Sequence, residues 1–342
     1  MRRNVSLFTA TLYGVGIILG AGVYALVGEA TGLAGNSVWL SFVVAAIVSA
    51  FTGLSYMELI SLFPQSAAEY VFAKQAFRSR LLAFNIGWIE IFADIIATAA
   101  VSLGFGGYFS ALFGVPVIPV ALALILVMSL ANFLGIKESA RINMIFSMIE
   151  IGGLLFVVFL ALFFGKYFSV DYLEMPYGVT GTLSASALIF FAYIGFEDLA
   201  NISEEVVNPK KNVPKALMYS VIITTAIYLL VGLAVVSLVS WQDLAVSQAP
   251  LALAVSRVLG DQASLMMSII ALFATSNTVL VGLIVGSRRI YGMSRDGSLP
   301  KSLSKVHQNR GTPWIAGLLT MLCTMAFVVT GPIRLVASIT DF

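Results

Sequence analysis

The sequence predicts an all-α protein, a polytopic bundle of membrane-crossing helices. Three observations predict it. Hydrophobic residues make up 59% of the 342 and charged residues only 11%, with a mean hydropathy of +0.98, whereas a soluble domain carries about 25% charge. Nine apolar runs read as bilayer-crossing segments. The 19 lysines and arginines fall almost wholly in alternate connections between those runs, the pattern that fixes membrane orientation.

In order, the runs are Leu7 to Val27, Val38 to Phe63, Leu81 to Leu112, Pro116 to Leu134, Met144 to Phe164, Leu183 to Ile202, Ala216 to Val239, Ala263 to Ile290 and Trp314 to Val329. Together they form one transmembrane domain with no linker long enough to divide it. Met1-Arg2-Arg3 before the first run resembles the start of a signal peptide, but the many later spans favour a retained first helix. With the N-terminus in the cytoplasm, the outer loops hold only Lys166, Arg257 and Arg334 of the 19 basic residues. Gly331 to Phe342 read as an outer loop and the first turn of another span.

The same composition excludes whole classes of function. One cysteine, Cys323, rules out an internal disulfide, and one histidine, His307, lies in a polar loop. A histidine-based catalytic constellation and a His/Cys metal site are therefore not expected. The sequence gives no sign of an enzyme, a cofactor or a metal. A net charge of +2 gives no reason to expect a nucleic acid partner. The partner that the composition does demand is the lipid bilayer.

The first run is interrupted. Gly14-Val15-Gly16-Ile17-Ile18-Leu19-Gly20-Ala21-Gly22-Val23 places two glycines at its centre, where each costs a helix roughly 1 kcal/mol relative to alanine. In hydrocarbon, a broken helix is tolerated where the freed backbone groups meet protein, water or a ligand. Phe190-Phe191-Ala192-Tyr193-Ile194-Gly195-Phe196 repeats the pattern in the sixth run. Small residues also permit close helix packing, but two interruptions in corresponding positions point to a transporter's binding site. Freed amides at Gly20, Ala21 and Gly22 suit a carboxylate. The carbonyls of Phe191 to Ile194, at the negative end of a half-helix, suit an ammonium group. A site with both complements a zwitterionic α-amino acid.

Ionisable residues inside a membrane are functional candidates by default. They are Glu58, Glu90, Asp94, Glu150, Glu197 and Asp198. Glu58, near a helix end, reads as a solvated residue or a loop arginine's partner. Glu90 and Asp94 share one helix face, where a structural pairing and a functional role are both open. Glu197 and Asp198 directly follow the second interruption. Glu150 stands alone in an apolar run beside Gly152-Gly153.

Taken together, these features resemble the amino acid–polyamine–organocation transporters. The resemblance rests on Gly20-Ala21-Gly22-Val23, on Ile194-Gly195-Phe196-Glu197 running into Glu204-Glu205 and Asn208-Pro209-Lys210-Lys211-Asn212-Val213-Pro214, and on Arg295-Asp296-Gly297-Ser298-Leu299-Pro300. It implies the LeuT-type fold, two inverted five-helix repeats with broken first and sixth helices. The tenth and later helices of that fold have no counterpart in the chain, which is expected to leave part of the scaffold facing lipid.

The implied activity is secondary active transport of an L-amino acid by alternating access, as proton-coupled symport or exchange. An ion channel or antiporter and a non-transporting sensor are the rival readings. The resemblance implies carboxylate binding at Gly20, Ala21 and Gly22, a gating aromatic at Phe191 and ammonium binding at Ile194, with Ala192 beside it. It further implies a substrate-site tyrosine at Tyr108 and an inner-gate acid at Glu197. Ile18, Phe196 and Gly282 would surround a neutral side chain without a counter-charge, although the nearby acids also leave a cationic substrate open. Glu150 falls where proton-coupled members place a fifth-helix lysine. There it would exchange a coupling proton or, if ionised, join Ser276 or Thr278 around a sodium ion.

Overall fold

The computed structural model describes residues 3–247 and 249–330. Its helices are α1 Leu7–Ala34, α2 Val38–Leu62, α3 Ala68–Phe77, α4 Arg80–Phe113, α5 Val117–Leu134, α6 Ile136–Phe164 and α7 Gly178–Phe191. They continue with α8 Asp198–Asn201, α9 Pro209–Leu238, α10 Trp241–Ala245, α11 Pro250–Leu259, α12 Asp261–Arg295 and α13 Trp314–Thr330. Among the described residues there is no sheet, only an isolated bridge between Val5 and Val206. Among the described residues, seven stretches are long and apolar enough to cross a bilayer, and α7, α11 and α13 are shorter apolar helices. The chain is an all-α, multi-pass membrane helix bundle. The outer loop and further turn expected at 331–342 lie outside the described residues.

Local chemistry sets the helix ends. Ser6 accepts from the Thr9 amide at the start of α1, and Ser79 accepts from Leu82 at the start of α4, each satisfying an amide that the first turn leaves free. Gly114, in the left-handed conformation, closes α4, with Pro116 two residues on. Asn208 adopts φ 49° so that Pro209 can begin α9, the position where a missing N–H costs nothing.

Helices α3, α10 and α11 fall outside the nine apolar runs. Helices α3 and α10 are short and carry polar residues, so hydropathy alone reads them as loops, while α11 is apolar but too short to count as a crossing segment. Helix α3 buries its first six residues and packs on α4, while α11 covers the far end of α12. Helices α6, α9 and α12 also extend past their apolar runs into charged turns. Apolar length marks where a segment meets hydrocarbon, not where its helix stops.

The packing has a regular order. Helix α1 packs on α7, α2 on α9, α4 on α12 and α5 on α13, so each of the first four crossing segments pairs with the segment five later. Helix α1 also touches α6, α9 and α12, and its residues Ala10 to Val27 contribute heavily to the core. The two glycine-interrupted segments therefore meet near the middle of the bundle. The end that carries α3, the α5–α6 turn and residues 203–208 and 296–312 is rich in lysine and arginine; it is called the basic end below.

Candidate functional site

The site is built from the two interruptions. Within α1, Gly20 has φ 25° and ψ −159°, a conformation closed to residues with a Cβ. Helix α7 stops at Phe191, residues 192–197 run as consecutive turns, and α8 resumes at Asp198, with Gly195 at φ 117°. The two breaks touch. A Cβ on Gly22 would lie 3.1 Å from the Ala192 Cα, and one on Gly195 would lie 2.5 Å from Ile17 Cγ2. A Cβ on Gly20 would meet Thr278 Oγ1 at 2.9 Å. These glycines are what allow the interrupted segments and α12 to approach.

A residue that sequence reasoning passed over joins the breaks. Tyr228 of α9 is fully buried, and its hydroxyl donates toward the carbonyls of Ile18 at 2.7 Å, Ala192 at 3.0 Å and Leu19 at 3.3 Å. Nothing in the sequence marks this tyrosine, since its meaning lies in which carbonyls it reaches.

Beside the first break lies a polar layer between α6 and α12. Asn277 donates to the Gly16 carbonyl at 3.2 Å and to Ser147 Oγ at 3.3 Å, while Asn143 donates to Asn277 Oδ1 at 2.8 Å. Glu150 is fully buried against the Asn277 amide, which lies close to its carboxyl group without forming a well-aligned hydrogen bond to it. From the first helix, the Tyr24 hydroxyl donates to the Glu150 backbone carbonyl at 3.5 Å. Ser276 and Thr278 flank Asn277 on α12, and Thr278 donates to the Ala274 carbonyl. Asn143 and Asn277 were the missed partners here; amides inside apolar runs are the signal that could have found them.

The remaining expected residues divide. Ile18 and Phe196 are buried, Phe196 edge-on to Tyr56 with ring centroids 5.9 Å apart. Tyr108 joins Tyr24, Leu251, Ala252 and Met267 around a cavity of about 20 Å³, room for one water. Phe191 and Ile194 are 49% and 44% exposed, at the edge of the second break. Glu197 accepts from the Gly195 amide at 2.9 Å, so its carboxylate closes the turn in which it sits. Gly282 is a packing glycine: Thr98 of α4 occupies the space its side chain would need.

At the basic end, three arginines of α12 hold the segment that follows the second break. Arg288 pairs with Glu205 at 3.3 Å and donates to Asn132 at 2.6 Å. Arg289 pairs with Asp198 at 3.3 Å, Glu90 at 3.2 Å and Glu69 at 3.4 Å, and also with Asp94. Arg295 forms a two-pronged pair with Glu204 at 2.7 Å on each side, and Ser66 donates its amide to the same carboxylate. Burial works to raise the Glu204 carboxyl, but Arg295 and the Ser66 amide outweigh it and hold the group below its ordinary range. Arg288-Arg289, adjacent charges inside an apolar run, were the overlooked signal. Among the described residues, no group of three or more His, Cys, Asp or Glu is arranged to hold a metal ion.

Comparison with known proteins adds a family match and three relatives. The family described as amino acid permease matches residues 5–340. The branched-chain amino acid permease BcaP of Bacillus subtilis (strain 168) is 35% identical over 337 residues, spanning 92% of this chain and 72% of its own length. The methylthioribose transporter of the same organism is 30% identical, covering 93% of this chain and 74% of its own. Mouse cationic amino acid transporter 4 is 30% identical over 96% of this chain and 55% of its own. These relatives are permeases and transporters, not enzymes.

Proposed function

Because the chain belongs to the amino acid permease family, we propose that it carries an L-amino acid across the cell membrane by alternating access, at the place where its two broken helices meet. The observation that carries this reading is the direct contact of Gly22 with Ala192. It puts the amides of the first break and the carbonyls of the second on the two sides of one small region. The substrate carboxylate lies at Gly20 to Gly22, where the backbone offers donors and the helix dipole is positive. The ammonium group lies at the Ile194 end of the second break.

Ile18 and Phe196 are apolar and buried, and the residues lining the cavity at Tyr24 and Tyr108 include no charged side chain. This favours a neutral side chain, of the kind named for the branched-chain relative. Packing of each early segment on the one five later supports two inverted repeats of the LeuT type, rocking about the site. The bias of basic residues toward one side supports an N-terminus in the cytoplasm. Glu150, buried against Asn277 beside the first break, exchanges the coupling proton with the two sides of the membrane in turn. Phe191 is the lid over the site.

Uptake of labelled amino acids into proteoliposomes tests this reading. Saturable accumulation of a neutral amino acid, driven by a pH gradient and without ionic conductance, is the expected result. Conductance without amino acid uptake would make the protein a channel, and binding without uptake would make it a sensor.

A further inference from the structure

We infer that Tyr228 is a positioning residue: its hydroxyl fixes the two broken helices at the spacing the substrate needs. The inference rests on the binding site proposed above. In an unbroken helix the carbonyls of Ile18 and Leu19 would accept from the amides of Gly22 and Val23, and that of Ala192 from Phe196. Gly20 leaves the helical conformation within α1 and residues 192–197 run as turns, which disturbs that pattern, and a buried carbonyl without a donor is costly. The Tyr228 hydroxyl lies within 3.3 Å of all three carbonyls. It therefore faces carbonyls of both breaks at once.

Its own place is fixed from the side. The ring packs on Phe42 with centroids 5.4 Å apart and stands nearly perpendicular to Tyr193 at 5.2 Å. Tyr193 belongs to the second break, and its hydroxyl donates to the Phe42 carbonyl at 3.4 Å. The hydroxyl of Tyr228 is thus delivered by α9, held against α2, to a point between two segments of other helices. The single hydroxyl proton lies closest to the Ile18 carbonyl and within reach of that of Ala192, so it links the two segments where apolar packing alone would let them slide. Carbonyls of unwound helix segments coordinate coupling cations in broken-helix transporters. Here a phenol proton already occupies the point where three of them converge, so the coupling ion must be held elsewhere.

Tyr228→Phe removes the hydroxyl and keeps the ring, while Phe42→Leu disturbs the ring packing and keeps the hydroxyl. Two measurements on the purified proteins decide the matter. In hydrogen–deuterium exchange, Tyr228→Phe is expected to speed exchange at least fivefold over residues 17–23 and 191–197, leaving α13 unchanged. In equilibrium binding with leucine as probe, it is expected to weaken affinity at least tenfold, and Phe42→Leu less than threefold. Unchanged exchange at both breaks overturns the inference, as does faster exchange throughout the bundle or faster exchange at the breaks with unaltered leucine affinity. If the parent protein binds no amino acid, the proposed function fails; the exchange pattern still decides whether Tyr228 holds the breaks.

Discussion

Gly22 faces Ala192 so closely that a Cβ in place of its hydrogen would stand 3.1 Å from the Ala192 Cα and 3.3 Å from its Cβ. The first break can meet the second only while residue 22 has no side chain. Gly22→Val therefore wedges the breaks apart and covers the amides assigned to the carboxylate. Amino acid affinity is expected to fall more than tenfold while the protein still inserts and elutes as a single species. Parent-like affinity in this variant would remove the carboxylate assignment.

Glu150 is fully buried beside the Asn277 amide, with no well-aligned hydrogen bond to its carboxyl oxygens among the described residues, and intramembrane acids of this kind serve proton relays. Glu150→Gln keeps the shape and removes the proton exchange. Uptake by the parent is expected to follow the pH gradient, and uptake by the variant to be indifferent to it. Transport by the variant with the parent's response to both pH and sodium would end the coupling role. Loss of a sodium dependence instead would favour an ionised Glu150 acting with Ser276 or Thr278.

Arg289 is surrounded by four carboxylates. Removing the arginine strands them, and breaking a buried pair by deleting one partner costs about 3–5 kcal/mol. Arg289→Gln should lower the melting temperature sharply. Asp198→Asn should lower it much less, since Arg289 keeps Asp94, Glu90 and Glu69. It should also make the basic end easier to open, read as faster labelling of a cysteine placed at Ala200 in the Cys323→Ser background. Equal melting temperatures for the two variants would refute this ordering.

The basic end also sets an acid limit. Glu204 is held below its ordinary value of 4.5 despite burial, through Arg295 and the Ser66 amide. Burial likewise raises Asp296, yet Lys74 and Tyr70 hold it below its ordinary 3.8. A carboxylate whose folded value lies below its unfolded one stabilises the fold fully above the unfolded value and loses that contribution as pH falls. Melting temperature should therefore drop from about pH 4.5 downward, and Glu204→Gln should flatten the upper part of that drop. A parent profile that stays level from pH 5 to pH 3 would contradict this.

The parts of the fold that could be read from the sequence are those governed by hydropathy and glycine. Apolar runs mark the crossing helices, and the break at Gly20 follows from glycines that a helix in hydrocarbon would otherwise avoid. Helix α3 escaped that reading because Glu69 and Lys74 make it polar, although its buried face packs on α4. The contact between the breaks was partly legible, in two matching interruptions. Tyr228 was not, because a tyrosine in an apolar run looks the same whether its hydroxyl meets solvent or three carbonyls. Arg289 and its carboxylates come from α3, α4, α8 and α12, and only the folded chain shows that one arginine serves all four.

The central claim is a site that holds a carboxylate on one broken helix and an ammonium group on the other. Equilibrium binding of leucine to the purified protein, measured beside isopentylamine and 4-methylpentanoic acid, tests it most directly, because each analogue lacks one of the two charged groups. The expected result is saturable binding of leucine and at least a hundredfold weaker binding of either analogue. Binding of the amine or the acid as tight as that of leucine would contradict the account.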